Sequence, residues 1–381
     1  MKILMVHPHD IFSEEEPWTV RIRSIALEFV KRGHKVRLVY FPLNSENASR
    51  KLNWEGIEVF SLSRRLGVDN FLKNIIFITY LSGWADVIHF QKCFYYAALP
   101  ALIAGLIRRK HIHYDWDDWE IKIYFYSRGQ NYLMGMFLWL SERIMPLLTD
   151  TVSVSSKRLR RECLRYGLPD ERIFEGHVGA DLKHFSPRNN GQYIKERYGI
   201  QGPLVMYVGQ LHGGQYVELF IDAATVLFKK IPDVRFMIVG SGYRLSELKK
   251  YSELAGLDGR LIFSEYVHHD EVPSYMAAAD ICVACFEKND ITECKSPLKI
   301  VEYLASGKPI VASKVGEVER MIGEAGILTE PGNASSLADA IETLLLDKEL
   351  RLECSHKARK RAEDKYNWSD TAESLLRAYQ F

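Results

Sequence analysis

A run of acidic and aromatic residues lies near the middle of the amino-terminal half of the chain. Residues 115–120 read DWDDWE at the end of an apolar β pattern. Carboxylates accept hydrogen bonds from hydroxyl groups, and indole rings stack on the apolar faces of sugars. We therefore predict sugar contacts by Asp115, Trp116 and Asp118, with Asp117 nearest the reacting groups. Structural caps and a divalent cation held by oxygen ligands are the alternative interpretations.

A second group of residues could bind an anion. Ser296, Pro297, Leu298 and Lys299 open a helical pattern, and the first N–H groups of a helix have no partner within it. That end also carries partial positive charge and suits a pyrophosphate. Glu302 follows one turn later, inside the apolar sequence VEYLA. We interpret it as a ligand contact, with a solvated helix residue as the alternative.

A glycine-rich loop precedes this helix in the chain. Gly209 ends a predicted strand, and Gly213 and Gly214 follow within five residues. Residues without a side chain allow a phosphate to approach the backbone closely. Gln210 and Gln215 flank these glycines and can donate hydrogen bonds. An ordinary flexible turn is the alternative.

Both groups belong to a repeating β-α pattern. Short apolar runs such as KILMV and KVRLVYF alternate with helical periodicity, and a second series begins at residue 203. The pattern predicts an α/β fold with two Rossmann-like, doubly wound parallel-sheet domains. Ligands in such folds bind at the carboxyl ends of the strands. The expected active site is the cleft between two such domains.

Composition narrows the class of protein. The chain has 381 residues, of which 47% are hydrophobic, and its formal net charge is +1, which excludes a strongly basic nucleic-acid binder. The spacing of the six cysteines suggests no disulfide framework. The start MKILMVHPHD reads as a strand and not as a signal peptide, and no run of 18 apolar residues occurs. We therefore expect a cytoplasmic protein.

Several segments in order resemble glycosyltransferase family 4, a retaining family of GT-B fold. They are VGADLKHFSP, YVGQLHGGQYVELF, FMIVGSG, VPSYMAAADICVAC and SPLKIVEYLASGKPIVAS. Together with WADVIHFQ and KRGHKVRLV they cover most of the chain. The SPLKIVEY stretch is the most specific of them and is similar to an SPLK-EY subgroup.

The resemblance implies a domain division and a donor site. Residues 1–185 would form the acceptor-side domain, residues 186–365 the nucleotide-sugar domain, and residues 366–381 a helix that packs back on the first domain. Glu302 would hold the donor ribose. Tyr266 and Val267 would hold the base by backbone contacts, with an ordinary core position as the alternative.

The resemblance also implies an activity. A hexosyl group would pass with retention from a nucleotide-diphosphate sugar to an acceptor in a surface glycan, a glycolipid or a specialised glycoside. The donor phosphate would take the acceptor proton, so that no protein nucleophile, metal or other cofactor is expected. Asp117 would contact the sugar or accept a proton, and Lys299 would support the departing phosphate.

Three positions depart from the family pattern. The family has Arg and Lys where this chain has Gln210 and Gln215, and a glutamate that contacts the transferred sugar where it has Cys294. Lys295 and Lys299 could replace the missing charges. A non-catalytic GT-B binding or scaffold protein therefore stays open as an alternative, as does a GT-B sugar-nucleotide epimerase.

Two further segments could contact an acceptor. The first β-α loop, HPHDIFSEEEPWT, is acidic and aromatic, and we predict a sugar or acceptor contact by Trp18; a solvated loop is the alternative. Residues 126–148 are rich in Met, Leu, Phe and Trp beside Arg128 and Arg143. A core helix is the first interpretation. The second is peripheral contact with the inner face of the cell membrane and a lipid-linked acceptor.

Overall fold

The chain folds into two compact units. The computed structural model describes residues 1–126 and 131–381. Unit 1 consists of Met1–Val178 and Trp368–Phe381, and unit 2 consists of Gly179–Asn367. The chain therefore passes from unit 1 to unit 2 after residue 178 and returns to unit 1 after residue 367. The sequence analysis expected these boundaries at residues 185 and 365. Arg128, named above as a basic neighbour of the apolar segment, lies outside the described residues.

Unit 1 contains an eight-stranded sheet in the order β3-β4-β2-β1-β5-β6-β7-β8. All neighbours are parallel except β3 and β4. The strands are β1 (Lys2–Val6), β2 (Lys35–Tyr40), β3 (Lys51–Trp54), β4 (Ile57–Ser61), β5 (Val87–Gln91), β6 (His111–Trp116), β7 (Thr151–Val154) and β8 (Ile173–Glu175). Strands β5 and β7 are buried along their whole length, as a sheet covered on both faces requires.

Helices connect these strands and cover the sheet. They are α1 (Val20–Lys31), α2 (Val68–Ser82), α3 (Tyr95–Arg108), α4 (Glu120–Tyr126), α5 (Tyr132–Leu148) and α6 (Lys157–Arg165). Helix α16 (Trp368–Ala378) returns from the end of the chain and packs on α1, β7 and β8. Among the described residues, no helix combines the length and the apolar character needed to traverse a bilayer.

Unit 2 contains a six-stranded, all-parallel sheet in the order β11-β10-β9-β12-β13-β14. Its strands are β9 (Leu204–Val208), β10 (Arg235–Val239), β11 (Leu261–Glu265), β12 (Ile281–Ala284), β13 (Ile310–Ser313) and β14 (Gly326–Thr329). Its helices are α7 (Gln192–Arg197), α8 (Val217–Lys230), α9 (Leu245–Leu254), α10 (Val272–Ala278), α11 (Asp290–Cys294), α12 (Leu298–Ala305), α13 (Val318–Ile322), α14 (Ala334–Leu346) and α15 (Lys348–Asp364).

Each sheet has one point at which the strand order reverses. In unit 1 the first strands are added outward from β1 on one side, and the later strands are added outward from β5 on the other side. In unit 2 the strands are added in the same way outward from β9 and from β12. Helices leave the sheet on opposite sides at such a point, so a crevice opens beyond the carboxyl ends of the two strands. The loops that follow β1, β5, β9 and β12 are therefore the places to look for function.

The helix that carries SPLK starts slightly later than the sequence suggests. Helix α12 begins at Leu298, and Pro297 precedes it as the capping residue with extended backbone angles. The sequence pattern also misses β3, which pairs antiparallel with β4 across a turn at Glu55 and Gly56. Both differences concern local backbone geometry and leave the order of the other strands unchanged.

Replacement of Gly240 by alanine should destabilise unit 2 strongly. Gly240 has φ +137, and an added Cβ would lie 2.1 Å from the carbonyl oxygen of Gly209, so strand ends at the crevice must move apart. We expect a loss of about 3 kcal/mol or more in the free energy of unfolding. Gly256→Ala is the matched control, since its φ is +74 but nothing lies within 4 Å, and it should cost about 1 kcal/mol. Thermal unfolding of both variants checks this, and equal losses would contradict it.

Candidate functional site

The loop after β9 is shaped by two glycines. Gly209 has φ +152, and a Cβ there would lie 2.8 Å from Nζ of Lys299. Gly240, after β10, lies directly against the Gly209 carbonyl. Side chains at these positions would fill the space in which the loop approaches the start of α12.

Lys299 points into this space from the first turn of α12. Its ammonium group donates a hydrogen bond to the hydroxyl of Tyr207 (2.7 Å) and lies 4.0 Å from the centre of the Tyr207 ring. It also donates to Oε1 of Gln215 (3.3 Å). Tyr207 in turn donates to Oε1 of Gln215 at 3.2 Å. The ammonium is thus held by neutral oxygens and a ring face.

The electrostatics of Lys299 follow from those partners. Burial, together with the positive charge of Lys295, lowers the pKa of its ammonium to about 7, against the opposing effects of Cys285 and Glu302. Burial lowers the pKa of His212, and the positive charges of Lys295 and Lys299 lower it as well. An excess of positive charge therefore gathers at this edge of unit 2, and an anion placed there would raise the pKa of Lys299 again.

The two glutamines that replace the expected cations are both engaged. Oε1 of Gln210 lies 2.9 Å from Nε2 of His212, whose Nδ1 donates to the carbonyl of Gly213. Because the carbonyl of Gln215 accepts from Lys299 and Tyr207, the amide N–H group of Gln215 is the part that it can offer to a ligand.

The remaining donor-site predictions fall close to one another around α12. Ser296, Pro297 and Leu298 lead into the helix, and all three are half-buried. The carboxylate of Glu302 is mostly buried, with Oε1 3.9 Å from Nε2 of His269. Gly214 has φ +80 in the loop after β9. These residues surround the same helix start.

Cys294 does not fit the role expected of it. Its side chain is buried, with 1% exposed, at the end of α11, so the thiol is packed inside unit 2 and does not face solvent. We therefore withdraw Cys294 as a side-chain contact to the donor. Tyr266 and Val267 follow β11 at the carboxyl edge of the sheet, and the Tyr266 side chain is 56% exposed.

In unit 1 the corresponding edge is organised by Lys92, which follows β5. Its Nζ lies 2.5 Å from Oε1 of Glu120, 3.2 Å from Oδ1 of Asp117 and 3.4 Å from Oδ2 of Asp118. Lys92 is 3% exposed and has φ +63. The three carboxylates raise the pKa of Lys92 well above its usual value against the opposing effect of burial. The acidic run is thus neutralised from within the protein.

Among the predicted sugar contacts, Asp117 is the carboxylate whose pKa is raised. It accepts a hydrogen bond from Nε2 of Gln91 at 2.7 Å. Burial raises the pKa of Asp117 to about 6, although Lys92 opposes the shift. Burial likewise raises the pKa of Glu120 to about 7. His7, after β1, is fully buried beside them, and burial keeps its pKa well below the usual value.

Asp115 and Trp116 lie deeper and serve the interior of unit 1. Asp115 accepts two hydrogen bonds from the guanidinium group of Arg21, at 2.8 and 2.7 Å, and one from the hydroxyl of Ser153 at 2.5 Å. Trp116 is 0% exposed and stacks between two tyrosine rings. Neither side chain has a free face for a sugar, so the predicted contact stays with Asp117 and Asp118.

The first β-α loop is held by a buried glutamate. Glu16 accepts a hydrogen bond from the backbone N–H of Asp10 at 2.6 Å, and it pairs with His9 and Arg64. Trp18 lies 5.5 Å from the His9 ring and is 38% exposed. The loop is therefore ordered by its own ion pairs, and Trp18 presents part of its indole to solvent.

Sequence reasoning missed Lys92, Gln91, His7 and Tyr207. All four sit at or just beyond the carboxyl ends of β1, β5 and β9, the strands beside the reversal points. That position was the available signal for Lys92, Gln91 and His7. The position of Tyr207 was not enough to predict its role, because that role is to accept a hydrogen bond from the side chain of Lys299.

Two groups of described side chains bring possible metal ligands within 4.8 Å of one another. They are Asp117, Asp118 and Glu120, and His184, His269 and Asp270. In the first group the Lys92 ammonium already occupies the position between the carboxylates. The second group lies on the surface of unit 2, where His184 and His269 stack on each other.

Comparison with known families gives the same division of the chain. Residues 202–347 match the family described as glycosyl transferases group 1, and residues 19–175 match the glycosyl transferase 4-like domain. One domain match falls in each unit. Each unit therefore contains a glycosyltransferase domain. These matches agree with the resemblance read from the sequence, whereas the narrower SPLK-EY grouping stays a prediction.

Curated relatives match this chain over only part of their length. An alpha-D-kanosaminyltransferase of Streptomyces kanamyceticus is 29% identical over 235 residues, which cover 60% of this chain and 60% of that protein. A sulfoquinovosyl transferase of Arabidopsis thaliana is 25% identical over 240 residues, 61% of this chain and 44% of that protein. The chain spans less than two thirds of the curated relatives that it matches.

Solved structures establish the fold. Anabaena HepE in complex with UDP has a TM-score of 0.78 at 18% identity, with all of both chains covered. Sucrose-phosphate synthase from Thermosynechococcus elongatus has a TM-score of 0.75 at 18% identity, covering 100% of this chain and 98% of that one. The predicted architecture of two Rossmann-like domains in a GT-B fold is therefore confirmed.

Removal of the buried ammonium should destabilise unit 1 in a pH-dependent way. Lys92→Met leaves three carboxylates without their cation, which should cost about 3 kcal/mol at pH above 7. The pKa values of Asp117 and Glu120 in the folded protein already exceed those of the unfolded chain. The folded state therefore binds more protons, and its stability falls as pH rises through these pKa values. We expect the loss in Lys92→Met to shrink as pH falls below about 6.

Thermal unfolding across pH measures this effect. Lys31→Met is the control, because Lys31 is 64% exposed and pairs with Glu28 at the surface, and its loss should be below about 1 kcal/mol at every pH. A Lys92→Met loss that is small, or equally large in acid, would show that the ammonium does not neutralise these carboxylates.

Proposed function

We propose that the chain transfers a sugar, with retention of anomeric configuration, from a nucleotide-diphosphate sugar to a hydroxyl group of an acceptor. The observation that carries the proposal is Lys299, at the start of α12 beside the reversal point of unit 2. Within the described part of the chain, its ammonium has no carboxylate among its hydrogen-bond partners. Support comes from relatives named as sugar transferases and from structural neighbours that hold UDP or UDP-glucose.

The diphosphate is expected at the start of α12. The N–H groups of Leu298 and Lys299, for which the helix itself supplies no partner, provide partial positive charge, and the ammonium groups of Lys295 and Lys299 supply full charge. The amide of Gln215 adds a neutral donor. Lysines on the helix thus take over the electrostatic role of the Arg and Lys that the loop lacks.

Other parts of the donor are assigned by position. Glu302 lies one turn beyond Lys299, and we assign its carboxylate to the ribose hydroxyls. Tyr266 and Val267, beyond β11, are assigned to the base. Gly209, Gln210 and Gly214 line the loop next to the phosphates.

In the proposed reaction the bond between the anomeric carbon and the diphosphate oxygen breaks as the acceptor oxygen bonds to that carbon. The acceptor proton passes to the departing phosphate, on the same face of the sugar. Lys299 stabilises the charge on the leaving diphosphate, and Asp117 and Asp118 hold sugar hydroxyls, with Trp18 as a stacking surface. We expect no metal or other cofactor, because the ammonium groups of Lys295 and Lys299 would supply positive charge where the diphosphate is expected.

A second candidate function is binding without catalysis. It is favoured by the neutral residues Gln210 and Gln215 and by the burial of Cys294. In that case the donor would bind without turnover, or would not bind. All six cysteines are free thiols, which supports a reducing, cytoplasmic location under either function.

A panel of nucleoside diphosphates and their common sugars should raise the unfolding temperature for one base. A ligand present at a hundredfold excess over its Kd stabilises the folded state by about 2.7 kcal/mol. In Glu302→Gln the shift should be lost, since the ribose loses its acceptor carboxylate. Glu349→Gln, an exposed residue of α15, should keep the full shift. If no nucleotide of the panel raised the unfolding temperature of the wild-type protein, the donor assignment would be rejected.

Nucleotide affinity should fall as pH rises through about 7. The phosphate needs the charged form of Lys299, whose pKa in the free protein is about 7, so binding above that pH must take up a proton. Above the pKa we expect up to about a tenfold weaker Kd for each pH unit. Lys299→Arg should remove this dependence, because guanidinium stays charged. Titration calorimetry in two buffers measures the proton uptake, and uptake that persists unchanged in Lys299→Arg would exclude Lys299 as its source.

A further inference from the structure

Three side chains of unit 2 bring together the kinds of atom that transition metals bind. They are His184, from the segment before α7, and His269 and Asp270, from the loop between β11 and α10. One ligand atom of each residue, a ring nitrogen or a carboxylate oxygen, lies within 4.8 Å of the others. Ligand atoms that share one tetrahedral ion about 2 Å away lie about 3.4 Å apart, so small side-chain rotations would complete the site.

The two imidazole rings are supported by a buried aromatic side chain. Their planes are nearly parallel, at 16°, and the ring centres are 5.2 Å apart. The ring of Phe185 is 2% exposed and lies nearly perpendicular to both, with its centre 5.0 Å from that of His184 and 5.8 Å from that of His269. Rings that packing already holds lose little conformational freedom when they bind an ion. The packing on Phe185 therefore favours binding.

Hydrogen bonds connect the two segments that carry the ligands. Oδ1 of Asp181 accepts a hydrogen bond from the backbone N–H of His184 at 3.1 Å. Nε2 of His184 lies 3.3 Å from the carbonyl oxygen of His269, so this imidazole bridges the segments. Nδ1 of His268 lies 3.4 Å from Oδ2 of Asp270. An exposed pair of this kind contributes little to stability, so an ion that takes the carboxylate oxygen replaces the pair at low cost.

The ligand set selects the class of ion. Imidazole nitrogen suits Zn²⁺ and Ni²⁺, whereas Mg²⁺ and Ca²⁺ prefer oxygen ligands alone. Water would complete the coordination of an ion at the protein surface. The acidic group around Lys92 is different, because an ammonium group already lies between its carboxylates. The histidine pair is therefore the better match for a transition metal.

We propose that His184, His269 and Asp270 bind Zn²⁺ or a related transition-metal ion, and that this ion weakens nucleotide binding. The effect on the nucleotide rests on the proposed function, whereas the metal site does not. Oε1 of Glu302, assigned to the ribose, lies 3.9 Å from Nε2 of His269. An ion on His269 attracts this carboxylate by its charge, and metal-bound imidazoles commonly donate to a neighbouring carboxylate. The ion would thus compete with the ribose for Glu302, without a part in the transfer itself.

Metal binding is measured on the full-length protein without a polyhistidine tag. Zn²⁺ alone should bind in titration calorimetry, and Mg²⁺ at the same concentration should not compete with it. His184→Gln should weaken Zn²⁺ binding at least about tenfold, the loss that removal of outer-shell support already causes. Asp270→Asn should do the same, and its side chain is 77% exposed, so this change leaves the packing on Phe185 intact.

The matched control is His356→Gln. It removes an exposed imidazole of α15 and should bind Zn²⁺ like the wild type. All variants are first shown to keep the wild-type unfolding temperature in metal-free buffer. Absence of Zn²⁺ binding by the wild type would overturn the metal site, as would undiminished binding by Asp270→Asn.

Nucleotide affinity with and without Zn²⁺ tests the regulation. Saturating Zn²⁺ should weaken the Kd of the preferred nucleotide at least about fivefold in the wild type and in His356→Gln. The effect should be much smaller in Asp270→Asn, which corrects for ions that the phosphates bind in solution. An equal effect in Asp270→Asn would reject the regulation and leave the metal site standing. Zn²⁺ binding by a wild-type protein that binds no nucleotide would reject the donor site instead.

Discussion

The carboxyl ends of parallel strands must meet at one edge of a sheet, and the functional groups of this chain depend on that constraint. Residues far apart in sequence, such as Gly209 and Lys299 in unit 2 or Gln91 and Asp117 in unit 1, become neighbours because their strands or the following loops reach the same edge. The reversal of strand order then opens space between the loops. Glycines at positions 209 and 240 keep that space free of side chains.

Two lysines occupy these edges, and their surroundings give them opposite properties. Lys92 lies among three carboxylates, which raise its pKa and use its charge entirely within the protein. Lys299 is surrounded by a phenol and an amide oxygen, and burial lowers its pKa. The first ammonium therefore holds acidic residues in place, whereas the second is short of negative charge and gains most from an anionic ligand.

The alternation of apolar runs and helical periodicity was enough to predict two α/β domains, because parallel strands buried on both faces have a strong sequence pattern. The helix start near Ser296 and the loop at Gly209 could also be found, since glycine and helix ends have local signatures. The roles of Trp116 and Cys294 could not be predicted from the sequence. Whether a side chain at a strand or helix end points to solvent or to the interior is decided by packing against other elements, such as Arg21 of α1 against Asp115.

The backbone of Lys92 carries a consequence of its own. A left-handed φ costs a non-glycine residue about 1 kcal/mol or more, and the three carboxylate contacts must offset it. Glycine would relieve the backbone but remove the cation, while arginine would keep the charge but exceed the volume of a site that is 3% exposed. Backbone shape and charge are therefore tied together at this position. A change of Lys92 is therefore expected to be tolerated at low cost only where the acidic run opposite it changes as well.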